Sequence, residues 1–248
     1  MTMTEQKNEK LSEEQFHAQL REERRKARRA AVAFARVCED GRADQLENAA
    51  LWLDECLDAW RIAFMAIARL KQVTPEVQDA FLTAWIEHKH IPLSVGHRPV
   101  CAAALRVLLP RNYSGPPLML YRGTRHSERT RRLYGFSWTT DVAIARHFAA
   151  NWEHPELKPP MRGVVLQTLA PPDAVLLMRK PEDFYDEGEV IVDPFRLHRI
   201  RTVSLAPSEM TIANMMEDRA ALTAQMDAVP TDLVRQDGCR RRSTQDYL

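Results

Sequence analysis

The stretch DEGEVIVDPF, residues 186–195, decides how the middle of the chain is read. Asp186, Glu187 and Glu189 crowd the entry to an unbroken apolar triplet, Val190-Ile191-Val192. A run of three β-type residues with no polar alternation predicts a strand buried on both faces. A carboxylate entering such a strand is costly unless hydrogen-bond donors meet it. On a regular strand Glu187 and Glu189 share a face, so the two acids would also repel each other. Ser137, Thr139 and a bound ligand could supply those donors.

Working outward, short β-type runs surround this one: LMLYR (118–122), VVLQTL (164–169), AVLL (174–177) and RTVSL (201–205). One helical segment interrupts them at 141–150. Before Pro110 the chain reads as helices, over 11–37, 44–71, a segment starting at Thr74-Pro75-Glu76 and ended by Ile91-Pro92, and 97–109. PRNYSGPP (110–117) marks the change of character with three prolines and a glycine. After 206 the pattern is helical again over 207–227, then polar. The expected fold class is α+β: a helical region over 1–110, a β-rich core over 111–206, and a C-terminal helix with a polar tail over 207–248.

Composition narrows the function classes less than the motifs do. A length of 248 residues with 45% apolar content suits a globular chain with a sizeable core. The net charge of +1 points to no particular partner. Cys38, Cys56, Cys101 and Cys239 lack metal or disulfide spacing, which reads as scattered thiols in a reducing compartment, the cytoplasm. MTMTEQKNEKLSEEQ has no apolar core of a Sec-type signal, and no window is apolar enough for a membrane span. REERRKARR (21–29) has six basic and two acidic residues. It reads as a solvated helix face with pairs such as Glu22–Lys26, or as a surface for phosphates or an acidic partner. His147, His154 and Asp193 lie near the acids in sequence but lack ligand spacing, so no metal is expected. There is no P-loop and no G-x-G-x-x-G.

Three motifs of the β-rich block carry the chemistry. In LMLYRGT (118–124) a strand ends in Arg122-Gly123; the planar guanidinium suits phosphate oxygens and the glycine permits close approach. In GFSWTTDVAIARHFA (135–149), strand alternation puts Ser137 and Thr139 on one face and Trp138 on the other. Thr140-Asp141 can also cap the helix that follows. EGEVIVDP (187–194) is the third. In this order the block, roughly 117–205, resembles the arginine-specific, R–S–E class of mono-ADP-ribosyltransferases. The matching residues are Tyr121-Arg122-Gly123, Phe136-Ser137-Trp138-Thr139 and Glu187-Gly188-Glu189-Val190. Trp138 departs from the family's Ser-Thr-Ser.

The resemblance implies a split β-sandwich core that binds NAD as substrate without a Rossmann fold. It implies that Glu189 holds the ribose, Ser137 orients Glu189, and Arg122 clamps the pyrophosphate. Thr139 would support the strand or the nicotinamide side, Gly123 would meet the nicotinamide amide, and Phe148 would wall the ring. Glu187 would act on the acceptor as general base. Phe184 and Tyr185 would recognise the acceptor by stacking, and 151–163 would lie beside NAD. The implied acceptor is arginine on a protein, in a toxin, effector or phage-related modifier, with an antitoxin or inhibitor as a further partner. An RNA or DNA acceptor, NAD hydrolysis, and a non-catalytic binding module remain open alternatives.

Overall fold

The computed structural model describes residues 13–154, 157–158, 160–179 and 188–203. Within them the chain is α+β: a helical N-terminal region, then a six-stranded antiparallel sheet.

The helical region follows the periodicity of its apolar residues. Helix α1, Glu13–Glu39, buries Ala27, Ala30, Ala31, Phe34, Val37 and Cys38, one stripe of a 3.6-residue repeat. Its basic stretch faces water, and Glu22 reaches Arg25 (3.5 Å) and Arg29 (3.0 Å) rather than Lys26. The expected helix over 44–71 is two helices, α2 Leu46–Asp54 and α3 Ala59–Ile67. The break ends at Asp58 with φ 63°, a left-handed conformation that Asp tolerates better than most residues. Apolar periodicity continues across the break, so it left no mark there. Trp60 of α3 meets Phe34 and Phe64 edge-on, at 5.6 Å between ring centroids in both cases.

Helix α4, Pro75–Glu87, starts as read, with Thr74 Oγ1 accepting from the Val77 amide. It stops at Glu87, before Ile91-Pro92. That dipeptide opens the short α5, Ile91–Val95, because proline's missing N–H costs nothing in a first turn. Helix α6, Arg98–Leu108, completes the region.

The strands are β1 Leu118–Arg125, β2 Ser137–Thr139, β3 Gly163–Ala170, β4 Val175–Met178, β5 Glu189–Val192 and β6 Arg201–Val203. The short α7, His126–Arg131, which the sequence reading did not anticipate, follows β1; α8, Val142–Ala150, follows β2. The sheet order is β4-β5-β2-β1-β3-β6. β1 and β3 pair along their whole lengths, from Leu118↔Ala170 to Arg125↔Gly163. β1 and β2 share a single pair, Tyr121↔Thr139, in the middle of the sheet. The C-terminal helix and tail expected over 207–248 lie outside the described residues.

Both faces of β5 are buried, as the Val190–Val192 run predicts. Val190 and Val192 join Leu120, Trp138 and Leu166 in one apolar cluster. Ile191 points the other way, with Phe136, Leu176 and Leu177, into a cluster that continues through α1–α6. Trp85 of α4 meets Phe136 edge-on at 6.5 Å, one of the joints of that shared core. Helix α8 lies on β1 and β3 through Ala145, Ala149 and Val165. Gly123 and Gly163 set this closeness. A Cβ on Gly123 would fall 2.0 Å from the Ala145 carbonyl oxygen, and one on Gly163 would fall 1.9 Å from that of Ala149.

Just past β5, Asp193 is fully buried. It accepts from the Phe195 amide at 3.0 Å, pairs with Arg106, and lies 3.6 Å from Arg196 Nε. It is therefore a structural tie between α6 and the turn after β5. Cys38, Cys56 and Cys101 are buried free thiols. Among the described residues no helix is long and apolar enough to cross a membrane.

Candidate active site

The single-pair junction of β1 and β2 borders a cleft of about 190 Å³. Strand register explains why these residues meet. Tyr121 sits opposite Thr139, and Thr139 opposite Glu189, so three strands offer one row of side chains. Ser137, opposite Ile191, is the diagonal neighbour of Glu189. Of the residues singled out in the sequence, Arg122, Gly123, Ser137, Thr139, Phe148 and Glu189 all line this cleft. Glu187, Phe184 and Tyr185 lie outside the described residues. The strand argument that put Glu187 and Glu189 on one face does not extend that far, because β5 begins at Glu189 and Gly188 has φ 55°.

Glu189 is the best-held carboxylate of the cleft. Ser137 Oγ donates to its Oε1, and Arg179 Nη1 lies 3.4 Å from its Oε2. The Arg179 amide also donates to the Glu189 carbonyl at 3.0 Å. A carboxylate offers about four acceptor positions, so these two side-chain donors fix its orientation and leave capacity towards the cleft.

Arg122 faces the same space from β1. Its Nη1 donates to the Ser137 carbonyl at 2.6 Å, and Nη2 lies 3.7 Å from Glu128 of α7. Its Nε is buried with no hydrogen-bond partner. Burial draws the guanidinium below its ordinary range, while Glu128 and Glu189 push the other way; an arginine stays charged regardless. Gly135 makes room for it, since a Cβ there would fall 2.4 Å from Nη2.

Two readings of the sequence change in detail. Gly123 was expected to leave space for a ligand; that space is taken by the backbone of α8. The Thr139 hydroxyl accepts from the Asp141 amide at 3.0 Å, and Asp141 Oδ1 accepts from Ala143 at 2.7 Å, so the helix cap is Asp141. Phe148 is 39% exposed and lines the cleft, outside the apolar clusters. Trp138 turns away into the core, and its indole N–H donates to Gly135 at 3.0 Å.

Sequence reasoning missed Arg179, Glu128 and Trp152. Arg179 was within reach: β4 and β5 form an antiparallel pair, and Met178 lies opposite Val190, which puts the next residue beside Glu189. Trp152 lines the cleft with the Arg125 guanidinium 3.9 Å over its ring; the resemblance points to its loop, 151–163, but does not single out this residue.

Chemically, the cleft joins a largely buried cation, a fixed carboxylate and two aromatic walls. It is smaller than the ~300–1,000 Å³ typical of drug-sized pockets, so it suits one end of a long ligand. Searches against protein-family models, curated proteins and solved structures found no match.

Proposed function

We propose that this chain is an NAD-dependent mono-ADP-ribosyltransferase that moves ADP-ribose to an arginine side chain of a protein and releases nicotinamide. One observation carries the reading. Arg122, Ser137 and Glu189, the last two separated by 52 positions in sequence, converge on one cleft with Ser137 donating to Glu189. The described strands form one six-stranded sheet, and its joint at this cleft is the single pair Tyr121↔Thr139.

The residues present fit NAD. The Arg122 guanidinium is partly exposed and lies within the same cleft as Glu189, where its charge suits a phosphate oxygen. Phe148 and Trp152 offer faces for a flat ring. NAD would supply a ribose carbon whose bond to a good leaving group breaks with growing positive charge. Glu189, already oriented, stabilises that charge and pays no reorganisation cost when it appears. Ser137 keeps Oε1 in place, and Arg179 acts as a positioning residue on Oε2. Arg122 holds the donor still while the bond breaks. Glu187, from its place in the E-x-E motif, takes the proton from the attacking guanidinium.

The test uses the full chain, NAD labelled on the adenosine side, and a cell lysate treated with protease or RNase. The expected product is protease-sensitive and hydroxylamine-labile, with nicotinamide released in step. In Glu189→Gln both signals should fall at least ~100-fold. An RNase-sensitive product would move the acceptor to nucleic acid. Nicotinamide release equal in both proteins, or no NAD turnover by the native chain, would overturn the proposal.

A further inference from the structure

Away from the cleft, Asp54, His88 and His90 converge from three helix ends. Asp54 is the last residue of α2, His88 caps the C-terminus of α4, and His90 caps the N-terminus of α5. Asp54 offers one oxygen to each ring: Oδ2 lies 2.8 Å from Nδ1 of His88, and Oδ1 lies 2.7 Å from Nε2 of His90. All three donor groups lie within 4.8 Å of one another. Trp60 Nε1 of α3 donates to Oδ1 at 2.6 Å and holds the carboxylate from behind. The His88 ring is itself held between Trp60 and His90, with ring centroids 6.5 and 5.8 Å away.

Two imidazoles and a carboxylate pointing at one spot is more than surface pairing requires. One imidazole would satisfy the exposed side of Asp54. The second, brought in by the sharp α4–α5 corner, gives the spot a third donor. Imidazole with carboxylate suits zinc and its late first-row neighbours, whereas magnesium and calcium favour all-oxygen sets. The Trp60 N–H on the liganding carboxylate is the outer support that such sites use to fix ligand orientation. His90 is about half exposed, which leaves a way in and a position for water.

We propose that Asp54, His88 and His90 bind one divalent ion of the zinc class, which ties the end of α2 to the α4–α5 corner. Its role is structural, because the ion would sit in the helical region and none of the three residues lines the cleft.

Cobalt(II) titration of the full chain tests this, followed by absorption. Expected is visible ligand-field absorption that saturates at one equivalent, with no near-ultraviolet thiolate band, and displacement by zinc. Zinc should also raise the melting midpoint. His90→Gln, at a half-exposed position, and Asp54→Asn, which keeps an acceptor for Trp60, should each weaken binding at least ~tenfold. Circular dichroism of both variants checks that they fold. No saturable absorption, a thiolate band, or titrations unchanged in both folded variants would each overturn the assignment.

Discussion

Strand β5 has an acid at its first residue and another just past its last, and the two are held in opposite ways. Glu189 has a side chain 19% exposed, met by a hydroxyl and a guanidinium on the cleft side. Asp193 is fully buried, locked between Arg106, Arg196 and a backbone amide. Both are charge-paired, so pairing does not tell a working group from a structural one. Room beside the carboxylate does. Glu189 keeps acceptor capacity facing a cavity, whereas Asp193 faces protein throughout.

If that distinction is right, mutations at the two ends should separate rate from stability. The largest effect belongs to Glu189→Gln: a loss of about 10³ in the rate of nicotinamide release, with little change in melting temperature. Next comes Gly123→Ala, which strikes both quantities. Its new methyl meets the Ala145 carbonyl, part of a helix backbone that has no rotamer to change. The cost should be about 3 kcal/mol, the upper end for overpacking, measured by urea unfolding, with activity falling as α8 shifts. Asp193→Ala should cost about 2–3 kcal/mol, less than a fully buried pair because Arg106 is 36% exposed, and should leave the rate of the folded fraction unchanged. A loss of rate per folded molecule there would break the comparison.

Smaller effects sharpen it. Ser137→Ala should slow turnover about tenfold, equivalent to ~1.4 kcal/mol, with the stability change inside ~1 kcal/mol. Arg179→Ala should act in the same direction, and Arg179→Lys should recover part of the rate if charge on Oε2 is what counts. A further effect, confined to high pH, is in alkali. Burial pushes the Cys38 and Cys101 thiols from the ordinary 9.0 up to about 12. These groups bind protons more tightly when folded, so their contribution is complete below pH 9 and is lost as pH rises towards 12. Stability should fall by up to ~1.4 kcal/mol per pH unit per thiol in that window. Thermal melts between pH 8 and 10.5 should show a shallower slope in Cys38→Ala than in the native chain.

The strands were legible because apolar runs between turn residues are a local signal. Val190-Ile191-Val192 also announced burial on both faces, which the two clusters around it bear out. Helix breaks were less legible. The turn at Asp58 and the α4–α5 corner depend on backbone conformations that interrupt no apolar pattern. In the cleft, Arg122, Ser137 and Glu189 stood out by residue type and order. Arg179 and Trp152 did not, because their place comes from pairing and from a loop's path. Gly123 was noticed for the right reason, close approach, but the approaching group is a helix.

The Arg122–Ser137 contact has a mechanical side. Where β1 and β2 stop sharing backbone pairs, the Arg122 side chain reaches the Ser137 carbonyl in place of a peptide N–H. The sheet is therefore bridged at that level by a side chain. A peptide rung is fixed by two strands at once; this one hangs on rotatable bonds. Replacing Arg122 would therefore remove a cross-strand tie as well as the cation of the cleft.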